Sequence, residues 1–177
     1  MMPSNLLFRP GTVPILTIRD PRLAVPSAYR VLKSMGLPHS SGRPNFLIST
    51  ATIWQKMLYE FFEFNNIQPL VIDADDIMTS RGFVERLCQE LELDPIQSIF
   101  QWEARPKDSM HPMLYASQQY LMDSTAVDPG RAGVNLDLDA EESKWEEEFG
   151  DDVGLVREAV ARSMGDYLWL RDRAFRG

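Results

Sequence analysis

The segment that decides the fold is Pro14-Ile-Leu-Thr-Ile-Arg-Asp-Pro-Arg-Leu-Ala-Val-Pro-Ser-Ala-Tyr-Arg30. Its apolar, β-branched start is typical of a buried β-strand. Asp20-Pro21 ends this strand, because proline fixes φ and disfavours helical backbone in the residue before it. From Ser27 apolar residues recur at helical spacing, until Gly36-Leu37-Pro38 ends the pattern. The segment therefore predicts a strand, a tight turn and a helix.

Two polar residues of this segment point to an anion. Arg19 follows the predicted strand directly, and Ser27 opens the predicted helix. Open α/β sheets bind ligands at the carboxyl ends of their strands, and a helix N-terminus attracts negative charge. Arg19 and Ser27 are therefore candidate anion-binding residues.

A second strand is predicted at Pro69-Leu-Val-Ile72. The helix that precedes it starts near Thr50, so a helical crossover joins the two strands and predicts that they are parallel. The apolar stripe of this crossover helix is predicted to lie in the core; it comprises Ile53, Trp54, Met57, Leu58, Phe61 and Phe62.

Three aspartates lie at the carboxyl end of the second predicted strand: Asp73, Asp75 and Asp76. Such a group can hold a cation, but aspartate is equally typical of turns and helix caps, which we favour here. The next helix is predicted to begin after Ser80 or Thr79. Cys88 lies in its apolar stripe, so we interpret it as a small buried side chain and not as a nucleophile.

Composition limits the class of protein. A chain of 177 residues with 44% hydrophobic content predicts a single domain over residues 1–177. The net charge of −8 argues against broad binding to nucleic acid or membrane surfaces. The single cysteine and the lack of a long apolar run predict a cytoplasmic protein without a signal peptide or a transmembrane helix.

Charge is unevenly distributed along the chain. Up to Arg43 there are six basic residues against Asp20 alone, whereas residues 137–152 hold nine acidic residues and only Lys144. Each run can be a solvated face, or the two runs can attract each other within the chain or across a dimer. Exposed ion pairs of this kind would each contribute roughly 0–1 kcal/mol to the stability of the fold.

The motif Arg19-Asp-Pro-Arg22, with Ser27 eight residues after Arg19, resembles the 3′-phosphate-binding motif of PAPS-dependent sulfotransferases. The resemblance extends to Pro69–Thr79 and to Asn135–Trp145, and it is strongest to the sulfotransferase-like proteins of filamentous fungi. It implies a truncated three-layer α/β fold of the P-loop NTPase superfamily, with a short parallel sheet, flanking helices and a helical C-terminal half. In that family the residues matching Arg19 and Ser27 grip the 3′-phosphate of the sulfate donor.

One departure from the family matters. Sulfotransferases open with a strand, a phosphate-binding P-loop and a helix, and they carry their catalytic histidine in that part. Here only 18 residues precede Arg19 and no glycine-rich loop precedes a helix. Because the backbone N–H groups of a P-loop cradle the phosphates, we expect no cofactor, and PAPS only if the chain acts as part of a sulfotransferase.

These observations predict a repurposed biosynthetic enzyme that works without nucleotide on a small, largely apolar natural-product intermediate. A pericyclase-like cyclisation or isomerisation fits, because orientation and a few hydrogen bonds can drive it without a catalytic triad or a metal. Metal-ligand spacings and a nucleophile elbow are both absent from the sequence. Two alternatives remain: the C-terminal part of a PAPS-dependent sulfotransferase, and a non-catalytic dimeric binding protein.

The predicted pocket lies between the strand ends and the Met- and Tyr-rich segment from Arg105 to Asp128. Arg19 would face a substrate carbonyl or carboxylate, and His111 would serve as general acid or base. The alternative for Arg19 is a structural pair with Asp20 or with an aspartate of the 73–76 turn. The predicted substrate-binding residues are Ser27 and Tyr29, as hydrogen-bond donors, and Trp102, Met110, Met113 and Tyr115, as an apolar wall.

A sheet of two or three strands leaves an edge or a face open, and open edges pair with other chains. We therefore expect a homodimer that buries more than about 1,500 Å². Light scattering at micromolar concentration checks this expectation, and a monomer would contradict it.

Overall fold

The computed structural model describes residues 8–35, 43–105 and 111–177 of the chain. Its sheet pairs β1 (Ile15–Ile18) with β2 (Leu70–Asp73) in parallel, with Ile15 opposite Leu70 and Ile18 opposite Asp73. The predicted short parallel sheet and its helical crossover are confirmed.

Helices make up most of the remaining structure. In the described ranges they are α1 (Pro21–Ser34), α2 (Arg43–Ser49), α3 (Ile53–Phe64), α4 (Ala74–Thr79), α5 (Arg81–Glu90), α6 (Pro112–Asp123), α7 (Leu138–Ser143), α8 (Trp145–Phe149) and α9 (Val153–Arg171). Short 3₁₀ turns lie at Pro95–Gln97, Pro129–Arg131, Gly133–Asn135 and Gly150–Asp152. The helical C-terminal half that the resemblance implies is therefore present. Across these described helices, none has both the length and the apolar composition needed to cross a lipid bilayer.

Helix α1 starts six residues earlier than the sequence predicts. Asp20 is its N-cap: one carboxylate oxygen accepts the backbone N–H of Arg22 at 2.8 Å. Pro21 takes the first helical position, where its missing N–H leaves no bond unmade. The prediction of a helix start at Ser27 was wrong because the Asp-Pro pair both ends the strand and begins the helix. Ser27 therefore lies roughly two turns into α1.

Helix α9 joins the two largest clusters of the core. Its first half packs, through Val156 and Ala159, on an aromatic cluster that includes Tyr29 and Trp145. Its second half packs on β1 and β2 through Tyr167 and Leu170. A third cluster, formed around Ile72 by Phe83 and Leu87 of α5, lies on the other face of β2. Helices thus cover both faces of β2, whereas the face of β1 that carries Ile15 and Thr17 is exposed.

Helix α3 does not bury the predicted stripe. Its buried residues are Tyr59 and Phe62, which lie three positions apart and face the core. The other predicted core positions are 36% to 51% exposed; they are Ile53, Trp54, Met57, Leu58 and Phe61. The prediction was wrong for these five positions, which leave a broad apolar surface on the described part of the chain.

Helix α5 and its cysteine agree with the sequence. The Ser80 hydroxyl accepts the backbone N–H of Phe83 at 3.1 Å, as expected of an N-cap. Cys88 is buried in the core-facing stripe. Closer to the C-terminus, the acidic segment forms two short helices, α7 and α8, which meet at Lys144.

Asp73 caps α4 and lies at the centre of a buried polar contact. It accepts the backbone N–H of Asp75 at 3.1 Å and the hydroxyl of Tyr167 at 2.9 Å. The predicted cap is confirmed, and the described residues contain no cluster of acidic, histidine or cysteine side chains arranged to hold a metal. Burial raises the pKa of the Asp73 carboxyl above its ordinary value.

A raised carboxyl pKa gives a defined pH dependence. The stability that Asp73 contributes is fully present below the ordinary aspartate pKa of about 3.9 and is lost as pH rises through the higher folded-state pKa. Asp73→Asn keeps a capping oxygen and cannot ionise. We expect its unfolding free energy, relative to wild type, to rise between pH 4 and neutrality in urea titrations. A difference that stays constant or falls with pH would contradict this assignment.

Candidate anion-binding site

A polar cleft of about 170 Å³ opens between α1 and the turns that precede α7. It brings together Arg19 and Ser27, the two residues of the predicted anion motif. Four arginines line it against one carboxylate: Arg19, Arg22, Arg30 and Arg131, with Glu141. We call it the arginine cleft.

Helix α1 supplies one wall of the arginine cleft. Leu23, Ser27 and Arg30 recur at intervals of four and three residues, which places them on one face of the helix. Because α1 starts directly after Arg19, this face continues from the end of β1. The local Arg-Asp-Pro-Arg sequence is therefore what aligns the strand end with the helix wall.

Two of the four arginines are neutralised by carboxylates. Arg22 pairs with Asp20, with its Nη2 at 2.8 Å from Oδ2. Arg30 forms two hydrogen bonds to Glu148, at 2.6 and 2.7 Å. Glu148 belongs to the acidic stretch, so the basic and acidic runs do meet within the chain at this exposed pair.

Arg19 and Arg131 have a different environment. Arg19 donates from Nη2 to the backbone carbonyl of Arg131 at 2.9 Å. The guanidinium carbon of Arg131 stacks 3.8 Å from the centre of the Tyr120 ring. Within the described ranges, no carboxylate forms an ion pair with either arginine. These two cations are therefore available to an external anion.

The carboxylates near Arg19 are engaged elsewhere. Asp20 is held by Arg22, and Asp75 accepts the backbone N–H groups of Gly133 and Val134 at 2.9 and 3.1 Å. The predicted structural alternative, in which Arg19 pairs with Asp20 or with the 73–76 turn, is therefore not what the structure shows. Asp75 instead anchors the loop that follows Arg131.

The electrostatics of Arg19 favour an anion. Burial lowers the pKa of its guanidinium, the nearby charge of Arg131 lowers it further, and Asp75 and Asp73 act in the opposite direction. Two cations held close in a partly buried cleft repel each other, and a bridging anion would offset that repulsion.

Tyr29 requires a correction. Its side chain is 1% exposed, and its hydroxyl donates to Asp152 at 2.7 Å. The ring packs edge-on against Phe46 and Phe149. Tyr29 is therefore part of the core, and its predicted role as a ligand contact was wrong because the inward face of α1 is the face that meets α9.

Of the predicted apolar wall, Trp102 lies in a second groove, away from Arg19. Trp102 lines a groove of about 670 Å³ with Leu121 and Met122, and its indole N–H donates to the Leu121 carbonyl at 3.3 Å. Arg19 does not line this groove. The structure therefore separates Trp102 from Arg19, which the sequence places in one pocket.

The other predicted wall residues are placed as follows. Tyr115 donates its hydroxyl to Asp123 at 2.6 Å, and this bond raises the pKa of the phenol. His111 is exposed just before α6. Met110 and the side chain of Met113 lie outside the described residues.

Three arginines of the cleft, Arg22, Arg30 and Arg131, are not among the site residues that the sequence pattern predicts. A signal for Arg131 exists in the turn Asp128-Pro-Gly-Arg131, where the Asp128 side chain accepts the Gly130 N–H at 3.0 Å. A basic residue in such a turn, just before an acidic run, is held in place by the turn itself. Its meeting with Arg19, 112 positions earlier, is a tertiary contact that spacing alone does not predict.

Comparison with known proteins finds two sulfotransferases that are similar to this chain. No family model and no solved structure matches the chain. Two curated relatives do, the sulfotransferase ppzF of Metarhizium rileyi and that of Metarhizium majus. Each is 31% identical over 180 residues, covering 93% of this chain and 53% of the relative. The chain is therefore similar to sulfotransferases over most of its own length, and it spans about half the length of the curated relatives it matches.

If the arginine cleft binds anions, phosphate should stabilise the protein. A ligand that binds only the folded state raises the melting temperature. We expect inorganic phosphate to raise the melting temperature more than chloride does at equal ionic strength. Arg19→Met should remove most of this difference between the two anions. Arg162→Met is the matched control, since Arg162 pairs with Glu158 on α9 and does not line the cleft. Equal responses in wild type and Arg19→Met would count against the site.

Proposed function

We propose that this chain supplies the donor-phosphate part of a sulfotransferase-type site. The arginine cleft would hold the terminal 3′-phosphate of a nucleotide sulfate donor such as PAPS. The observation that carries the proposal is the meeting of Arg19, Arg131 and Ser27 at one cleft, with both guanidinium groups left without a carboxylate partner in the described structure.

The chemistry of the cleft suits a phosphate monoester. Guanidinium groups offer planar donors that match phosphate oxygens, and charge-assisted bonds of this kind are about twice as strong as neutral ones. A serine hydroxyl adds a neutral donor. Because Arg19 is partly buried, its attraction to a dianion is screened less than it would be at the surface.

The proposed role is binding rather than proton transfer. Sulfuryl transfer forms an S–O bond to the acceptor and breaks the S–O bond at the 5′-phosphate, so the 3′-phosphate is unchanged. The one carboxylate lining the cleft, Glu141, pairs with Lys144 at 2.5 Å. The cleft would therefore hold the donor and the spent adenosine bisphosphate alike.

The cofactor-free cyclase or isomerase is the second candidate. It is favoured by the groove at Trp102, Leu121 and Met122, which is larger than the arginine cleft. Charged side chains dominate the arginine cleft, which argues against the predicted use of Arg19 on an apolar substrate there. Turnover of an apolar substrate without nucleotide, lost on Trp102→Ala but kept on Arg19→Met, would favour this candidate.

A nucleotide pair that differs only in the 3′-phosphate tests the proposal. We expect adenosine 3′,5′-bisphosphate to bind at least tenfold more tightly than AMP in calorimetry, because charge-assisted bonds contribute roughly 1.5–3 kcal/mol. Overall affinity should be weaker than micromolar, since the cleft contacts one phosphate.

Variants test which residues cause the preference for adenosine 3′,5′-bisphosphate over AMP. Arg19→Met should abolish it, Ser27→Ala should reduce it, and Arg162→Met should leave it intact. Equal binding of the two nucleotides to wild type would refute the proposed function.

A further inference from the structure

Two buried side-chain atoms in the described structure lack a hydrogen-bond partner, Nε of Arg19 and Oε1 of Gln55. Both residues line the same cleft, which has a volume of about 330 Å³ and lies beside the sheet. Buried polar atoms are nearly always paired, so an unpaired donor and an unpaired acceptor in one cleft need an explanation. We call this the Gln55 cleft.

The Gln55 cleft is distinct from the arginine cleft. Its walls come from the end of β1, from Ala24 and Ala28 on α1, from Ala74 at the start of α4, and from α3. The three alanines leave space between the elements. Arg19 lines both clefts, whereas Gln55 does not line the arginine cleft.

Two of the four hydroxyl groups in the lining donate their protons within the protein. Ser49 and Thr50 both donate to the carbonyl of Phe46, at 3.1 and 2.7 Å. Their oxygens therefore present lone pairs, as Gln55 Oε1 does. Arg19 supplies the unpaired N–H donor, and the lining contains no carboxylate.

We infer that the Gln55 cleft binds a small neutral molecule that carries an amide or lactam group. The carbonyl oxygen of such a ligand accepts from Arg19 Nε, and its N–H donates to Gln55 Oε1. A carboxylate would meet the lone pairs of Gln55 and Thr50, and an ammonium group would meet the Arg19 charge with no anion to offset it. A neutral amide satisfies both unpaired atoms at once.

This inference stands apart from the proposed function, because it depends on Gln55 and not on the 3′-phosphate. The two can fail separately. Gln55→Leu should leave the preference for adenosine 3′,5′-bisphosphate over AMP intact. Arg19→Met should weaken the binding of both the bisphosphate and the amide ligand.

Three five-membered rings of similar shape serve as probes: 2-pyrrolidinone, which has both a carbonyl and an N–H, N-methyl-2-pyrrolidinone and γ-butyrolactone, which lack the N–H. Titrations of the full chain followed by ¹H–¹⁵N NMR report on the Gln55 amide and the Arg19 Nε–H directly. We expect 2-pyrrolidinone to shift both signals and to bind roughly fivefold more tightly than the other two, the effect of one neutral hydrogen bond.

Variants assign the preference to Gln55. Gln55→Leu should make the three probes bind equally. Gln89→Leu, at an exposed position on α5, is the control and should behave as wild type. Equal binding of the three probes to wild type, or shifts confined to other residues, would overturn the inference and indicate that water alone satisfies the two atoms.

Discussion

The structure depends on the Asp20 carboxylate at the junction of β1 and α1. This buried side chain caps the helix and pairs with Arg22, so the helix starts two residues after Arg19. The strand end and the helix wall are thereby held at a fixed angle, and Arg19 lies where they meet. Without the cap, helix α1 would lose a hydrogen bond that typically contributes about 1 kcal/mol to stability.

The second half of the cleft is held by a second carboxylate. Asp75 accepts two backbone N–H groups at Gly133 and Val134, immediately after Arg131. Residue 133 must be small, because a Cβ there would lie 3.0 Å from Oδ2 of Asp75 and 3.3 Å from Cδ1 of Leu23. Both carboxylates are therefore used to position the arginine-bearing segments and not to neutralise Arg19 or Arg131, and the cleft keeps its positive charge.

Local patterns in the sequence predicted local structure well. The β-branched runs, the helical crossover and the Ser80 cap all depend on neighbouring residues, and the structure confirms them. The start of α1 was misplaced because Asp20-Pro21 carries two signals at once. The outward face of α3 was misassigned because periodicity identifies an apolar stripe but not what covers it. Arg131 was missed because its contact with Arg19 joins distant segments. The pairing of Arg30 with Glu148 was predicted only as one alternative, an attraction between the basic and acidic runs.

We propose that Arg19, Arg131 and Ser27 together form a phosphate site. A crystal structure of the chain with adenosine 3′,5′-bisphosphate would show this site occupied. We expect the 3′-phosphate in the arginine cleft, with its oxygens within hydrogen-bonding distance of the Arg19 guanidinium and the Ser27 hydroxyl. A nucleotide bound elsewhere, with the 3′-phosphate in solvent and the arginine cleft filled by water, would contradict it.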